Sequence, residues 1–128
     1  MFADMKQMVE KAWREQYALL AINCMNLESA RAAVRVAEKY RAPIILNLYQ
    51  GHLAHFPPAT AMAVARTLAE EASVPVTLSL DHGKEPVKIR QAFRAGFSGL
   101  MIDASEFPLA ENIRQTREVT TLAASIGL

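Results

Sequence analysis

Cysteine is nearly absent from this chain. Its one thiol, Cys24, has no partner for an intrachain disulfide and cannot build a cysteine-based metal knuckle, and six methionines beside it suit a reducing cytoplasm. An excess of charge of either sign is also missing. The formal net charge is +1 and the lysines and arginines are scattered among the acids, so no basic stripe is available to grip a nucleic-acid backbone. No run approaches the roughly 18 apolar residues of a membrane span. The opening residues, Met1-Phe2-Ala3-Asp4-Met5-Lys6, carry an acid early and lack the apolar core of a secretory signal. Together these absences predict a soluble cytoplasmic protein with neither nucleic acid nor membrane as partner.

What is present is a repeating alternation over 128 residues, a length typical of one domain. Met5, Met8, Val9 and Ala12 fall at helical spacing, predicting an amphipathic helix over 2–15. The short apolar run Tyr17 to Ile22 reads as a buried strand, and Asn26 is placed to cap a helix from Leu27 to Tyr40. Pro43 separates that helix from a second strand, Ile44 to Leu48. Pro57-Pro58 opens a helix to about Ala72, and the pattern continues as strand 74–80, helix 85–95, strand 99–102 and helix 109–125. Short, wholly apolar strands alternating with amphipathic helices predict an α/β fold with parallel strands and crossover helices.

Four such units behind a leading helix fit either a small open doubly wound sheet or the (βα)4 half of a TIM (β/α)8 barrel. Polar residues closing several strands at their carboxyl ends (Asn23, Asp81-His82, Asp103) favour the barrel, which gathers chemistry on that rim. The turn after the first strand, Asn23-Cys24-Met25-Asn26, holds no glycine, which argues against a dinucleotide-binding fold.

The residues able to carry chemistry cluster at those strand ends. Asp81 is a candidate general acid/base and the adjacent His82 a candidate metal ligand; residues in succession leave a strand in different directions, so each can face its own task. The plainer alternative makes Asp81 a helix cap and His82 a loop residue. Asp103 adds a carboxylate to the same rim, or else is another capping residue. Asn23 could donate to a substrate. His52 and His55 are set aside as a metal pair because they fall in an apparent loop, and Cys24 reads as a small buried hydrophobe.

The order Ala21-Ile22-Asn23-Cys24-Met25-Asn26, Ala42-Pro43-Ile44-Ile45-Leu46, Leu80-Asp81-His82-Gly83, Ala95-Gly96-Phe97, Met101-Ile102-Asp103-Ala104-Ser105 and Glu111-Asn112-Ile113 resembles the class II, zinc-dependent ketose-bisphosphate aldolases, across essentially the whole chain. The resemblance implies an enzyme of carbohydrate metabolism that cleaves a ketose bisphosphate reversibly into dihydroxyacetone phosphate and an aldehyde. Zinc would polarise the carbonyl and stabilise the enediolate. It assigns Asp81 as the acid/base acting on the C4 hydroxyl, His82 as the first zinc ligand, and Asp103 as a ligand of a second or alternative metal position. Asn23, Gln50 and Gly51 become substrate-binding residues.

Two features depart from the family. Tyr49-Gln50-Gly51-His52 stands where a Ser-Glu-Gly-Ala type sequence is usual, removing a serine that helps hold substrate phosphate. A complete barrel needs about 250 residues, with the other zinc histidines in its second half, and this chain stops where a fourth helix would hand over to a fifth strand. The expectation is therefore a single amino-terminal half-barrel over 1–128, truncated, and inactive alone. Its open strand edges predict a homo-oligomer. A non-catalytic self-associating half-barrel, or a metal-independent binding domain, remains the alternative.

Overall fold

A computed structural model describes residues 1–125, so the expected hand-over to a fifth strand lies outside the described residues. The elements run α1 (Met5–Glu15), β1 (Leu20–Asn23), α2 (Leu27–Tyr40), β2 (Ile44–Tyr49), a 3-10 turn (Gln50–His52), α3 (Pro58–Glu71), β3 (Val76–Gly83), α4 (Pro86–Ala95), β4 (Gly99–Ile102) and α5 (Leu109–Ala124). The four strands form one parallel sheet in the order β1-β2-β3-β4. Each strand lies beside its predecessor with a helix between, which is the arrangement of one half of a TIM barrel behind a leading helix.

Local chemistry sets the boundaries. Asn26 starts α2 by a reciprocal capping arrangement: its Oδ1 accepts from Ser29 N at 2.9 Å, and Ser29 Oγ accepts from Asn26 N at 3.2 Å. Asp4 caps α1, accepting from Gln7 N at 2.8 Å. Gly96 ends α4 at φ 91°, a left-handed conformation that glycine adopts without a side-chain clash.

Several boundaries differ from the sequence expectation; the first helix begins at Met5 rather than Phe2, with Asp4 as its cap. The first strand begins at Leu20 rather than Tyr17, because α1 closes through a left-handed Gln16 with Tyr17 N donating to Ala12 O, and the chain uses the next residues to reverse direction. The third strand begins at Val76 and extends through Gly83, so Asp81 and His82 lie within it.

The sheet's two faces differ in character. Ile44, Leu46 and Leu48 of β2 and Val76, Leu78 and Leu80 of β3 point to the helices and pack with Ala30, Val34, Met62, Ala65, Leu68 and Ile89 in the main core. Full burial of each larger side chain there contributes roughly 1.5–3 kcal/mol. On the opposite face the register lines up Asn23, Asn47, Ser79 and Gly99 in one row across all four strands. A Cβ at Gly99 would press into Met5 Sδ and Ser79 Oγ, so α1 seals this face from below. Buried Thr77 and Ser79 lie on it, and Thr77 Oγ1 has no hydrogen-bond partner among the described residues.

Candidate active site

β1, β2, β3 and β4 deliver Asn23, Tyr49, Asp81-His82 and, just beyond β4, Asp103 to one rim of the sheet. Asp81 caps nothing. It sits opposite Tyr49 in the β2–β3 register, 14% exposed, and its Oδ2 accepts from Asn23 Nδ2 at 3.1 Å. The helix that follows starts after Glu85, whose side chain makes no capping hydrogen bond.

At His82 the β3–β4 register slips between Leu80 and Gly83, and His82 takes φ 51°, a left-handed conformation uncommon for a residue with a side chain. That bulge turns two consecutive side chains onto one rim: His82 Nε2 lies 3.9 Å from Asp81 Oδ1. Gly83 then has to be glycine, since a Cβ would stand 2.8 Å from Ile89 Cγ1 and 2.9 Å from the Met101 carbonyl oxygen.

His82 Nδ1 lies 2.8 Å from Asp103 Oδ2. Asp103 Oδ1 accepts from Ser105 Oγ at 2.6 Å and from Ser105 N at 3.1 Å. These Ser105 bonds first, then the His82 contact, hold the Asp103 carboxyl far below the usual carboxylate range, so it is ionised and can only accept. In the His82–Asp103 hydrogen bond Nδ1 is therefore the donor, which leaves Nε2 turned to the rim. Asp103 thus combines the two readings open for it: one oxygen makes a local turn and the other orients the histidine.

Lys84, which sequence reasoning passed over, completes the cluster. Its Nζ pairs with Glu106 and approaches Asp103 Oδ2 at 3.8 Å, and the Glu106 hydrogen bond is the main reason its pKa is raised. A lysine two positions after the histidine was a usable signal, but its acidic partner lies 22 residues away.

Gln50 is committed to the turn after β3. Its Oε1 accepts from Lys84 N at 2.8 Å and Glu85 N at 2.9 Å, and its Nε2 donates to Glu85 Oε1 at 3.1 Å. Gly51 sits under the Tyr49 ring. Tyr49 meets His82 edge-on at 6.2 Å between ring centres and His52 at 5.4 Å, so the rim beside β2 is aromatic. The His52–His55 segment is a tight turn rather than the open loop expected: His55 N and Phe56 N both donate to His52 O. Cys24 is buried, and burial pushes its thiol up to about 11, as an inert core residue requires.

The donor set fits a metal only in part. His82 offers one imidazole nitrogen with a carboxylate behind it, the usual support for a metal-ligating histidine. Among the described residues no three His, Cys, Asp or Glu side chains gather to hold an ion, whereas a catalytic zinc generally takes three protein ligands.

A family model described as fructose-bisphosphate aldolase class-II matches residues 3–128. The chain belongs to that family. It is 40% identical over 130 residues to the 6-phospho-5-dehydro-2-deoxy-D-gluconate aldolase of Bacillus subtilis, covering 99% of this chain and 45% of that protein. It is 37% identical over 123 residues to the fructose-bisphosphate aldolase of Thermus caldophilus, covering 95% of this chain and 40% of that one. The crystal structure of the YdjI aldolase of Escherichia coli superposes with a TM-score of 0.91 at 30% identity, over 100% of this chain and 48% of that chain. This aldolase-family chain therefore spans about half the length of the curated relatives it matches, and its four βα units correspond to half of their barrel.

Proposed function

We propose that this chain forms a single half-barrel domain supplying the amino-terminal half of a zinc-dependent aldolase site, acting in the cytoplasm on a phosphorylated ketose of carbohydrate metabolism. The observation that carries the reading is the meeting of Asp81, His82 and Asp103 on one strand-end rim. His82 would hold the ion through Nε2, with Asp103 fixing its tautomer; the remaining ligands lie outside this set. The metal, when bound, supplies a Lewis acid that polarises the substrate carbonyl.

Asp81 performs the proton transfer. In the cleavage direction it takes the proton of the C4 hydroxyl; the O–H pair becomes the second bond of the new aldehyde carbonyl, the C3–C4 bond breaks, and its electron pair passes to C3 and the C2 oxygen. In condensation the same carboxyl returns the proton. Asn23 orients that carboxylate through Oδ2, leaving Oδ1 for the substrate. The relatives' names divide between fructose bisphosphate and a phosphorylated deoxygluconate derivative. The shared class, a phosphorylated sugar derivative, is the substrate proposed, with Tyr49 in place of the phosphate-holding serine marking where the specificity of this chain departs.

A chimera in which this chain replaces the matching residues of the Bacillus subtilis relative tests the reading. Zinc-dependent cleavage of a phosphorylated sugar is expected, with Asp81→Asn lowering kcat by about 10²–10⁴-fold, the usual range for a positioned acid/base. A folded, zinc-loaded chimera whose activity is indifferent to Asp81→Asn sinks the proposal.

A second reading is favoured by the sheet edges. Leu20 on β1 is 61% exposed and Met101 on β4 is 45% exposed, and unpaired apolar edges recruit further strands. Two copies joined edge to edge supply the eight strands that a closed barrel needs, making a homo-oligomer whose role is structural.

A further inference from the structure

We infer that Gln50 is a positioning residue for His82, acting through the backbone rather than on substrate. Its half-buried amide bridges the end of β2 to the turn after β3: Oε1 accepts from the main-chain N–H of both Lys84 and Glu85, at 2.8 and 2.9 Å. Both lone pairs of that oxygen are thereby used, and Nε2 is tied to Glu85 Oε1 at 3.1 Å. The oxygen has nothing left to offer a sugar hydroxyl.

The place where this bridge lands gives it its role. His82 holds φ 51° two residues before Lys84. A non-glycine residue in the left-handed region persists only where its surroundings over-determine it, and such residues collect at functional sites. Three restraints do this here. Asp103 N donates to the Gly83 carbonyl oxygen at 2.9 Å, Gly83 is wedged against Ile89 and the Met101 carbonyl, and Gln50 holds the next two amides. The first two fix the bulge from the β4 side. From the β2 side the Tyr49 ring meets the imidazole edge-on, but Gln50 supplies the hydrogen bonds that hold the backbone of the turn, and without them the turn relaxes toward extended backbone and swings the imidazole off Asp103. The positioning stands on hydrogen-bond geometry; its value for chemistry rests on the reading of His82 as a metal ligand.

The chain has only three histidines, so ring ¹⁵N shifts of His82 are readily assigned in histidine-labelled protein at pH 8. Gln50→Ala is expected to speed amide exchange of Lys84 and Glu85 by at least about tenfold. It should also collapse the separation between the His82 Nδ1 and Nε2 shifts, with exchange at Leu78 and Leu80 unchanged. Gln50→Glu alone faces Glu85 with a like charge and should behave similarly. Combining Gln50→Glu with Glu85→Gln rebuilds the same bonds with the donor moved across, and should restore the wild-type shifts. A folded Gln50→Ala protein with fast Lys84 and Glu85 exchange but unaltered His82 shifts overturns the inference. If Gln50→Ala does not fold, failure of the swapped pair to rescue Gln50→Glu overturns it equally. Cobalt titration of the chimera with the Bacillus subtilis relative, which supplies the remaining ligands, separates the two claims: His82 shifts that depend on Gln50 in this chain, beside a folded chimera that takes no cobalt, keep the positioning role and remove the metal reading.

Discussion

β3 and β1 carry similar apolar sequences and meet opposite fates. From Val76 to Leu80 every residue of β3 is buried, while β1 has no buried residue and leaves Leu20 61% exposed. The difference is position in the sheet. β3 has a strand on each side and helices behind it, whereas β1 is paired only with β2. Continuous apolar character is what a strand covered on both faces needs; among the described residues β1 lacks that cover. The rim shows the same contrast, since β3 with its neighbours builds a connected polar network while β1 contributes Asn23 to it through one bond.

The largest test of this contrast is stability. Leu80→Ala, at a fully buried site in the middle of the sheet, should cost about 2–5 kcal/mol by urea unfolding, and Leu20→Ala at most about 0.5 kcal/mol. Equal costs would mean that β1 is covered in solution and would break the comparison. Next in size is thiol reactivity. Cys24 follows β1 directly yet is buried on its inner side, with its thiol pushed up to about 11, so at pH 8 its alkylation should run about 100-fold slower than in the urea-unfolded chain. A fast-reacting Cys24 would show that the edge strand frays. Smaller again is association: Leu20→Lys should weaken any edge-to-edge dimer by about tenfold in sedimentation, whereas Lys at exposed Val36 on α2 should leave it unchanged.

The smallest effect separates the rim from α5 by pH and salt. Asp103 is depressed chiefly by Ser105, and Glu111 is lowered to about 2 chiefly by Arg114. A depressed carboxylate stabilises the fold above its unfolded value near 4.5, and that contribution is lost as pH falls toward the folded value. Thermal stability should therefore decline from about pH 4.5 downward. Added salt should blunt the part removed by Glu111→Gln more than the part removed by Asp103→Asn, because the exposed Glu111–Arg114 pair is screened while the Asp103–Ser105 hydrogen bonds are local and Lys84 stands farther off at 3.8 Å. Equal salt sensitivity of Asp103→Asn and Glu111→Gln would contradict this division.

What was legible in the sequence follows the range of the interactions. Asn26 as a cap, Pro58 at a helix start and the period of each helix depend on neighbours within four residues, and these elements fall where expected. The rim was legible as residue types at strand ends, so Asn23, Asp81, His82 and Asp103 could be gathered before any coordinates. The bulge at His82 was not, since register slip is decided by the opposing strand. Nor was the task of Gln50, whose partners lie 34 and 35 residues away. Asp103 illustrates both cases: its turn with Ser105 is local and readable, and its grip on His82 spans 21 residues.

The row of Asn23, Asn47, Ser79 and Gly99, with the unsatisfied hydroxyl of Thr77 on the same face, sets terms for whatever closes this sheet. This face mixes amide and hydroxyl groups with Ala21 and Ile45, and a complementing half that brings only aliphatic side chains leaves the polar groups unmatched, each keeping its desolvation cost. In split-protein reassembly this row would act as a password: halves offering donors and acceptors at matching heights would close the barrel, and oily ones of equal size would not.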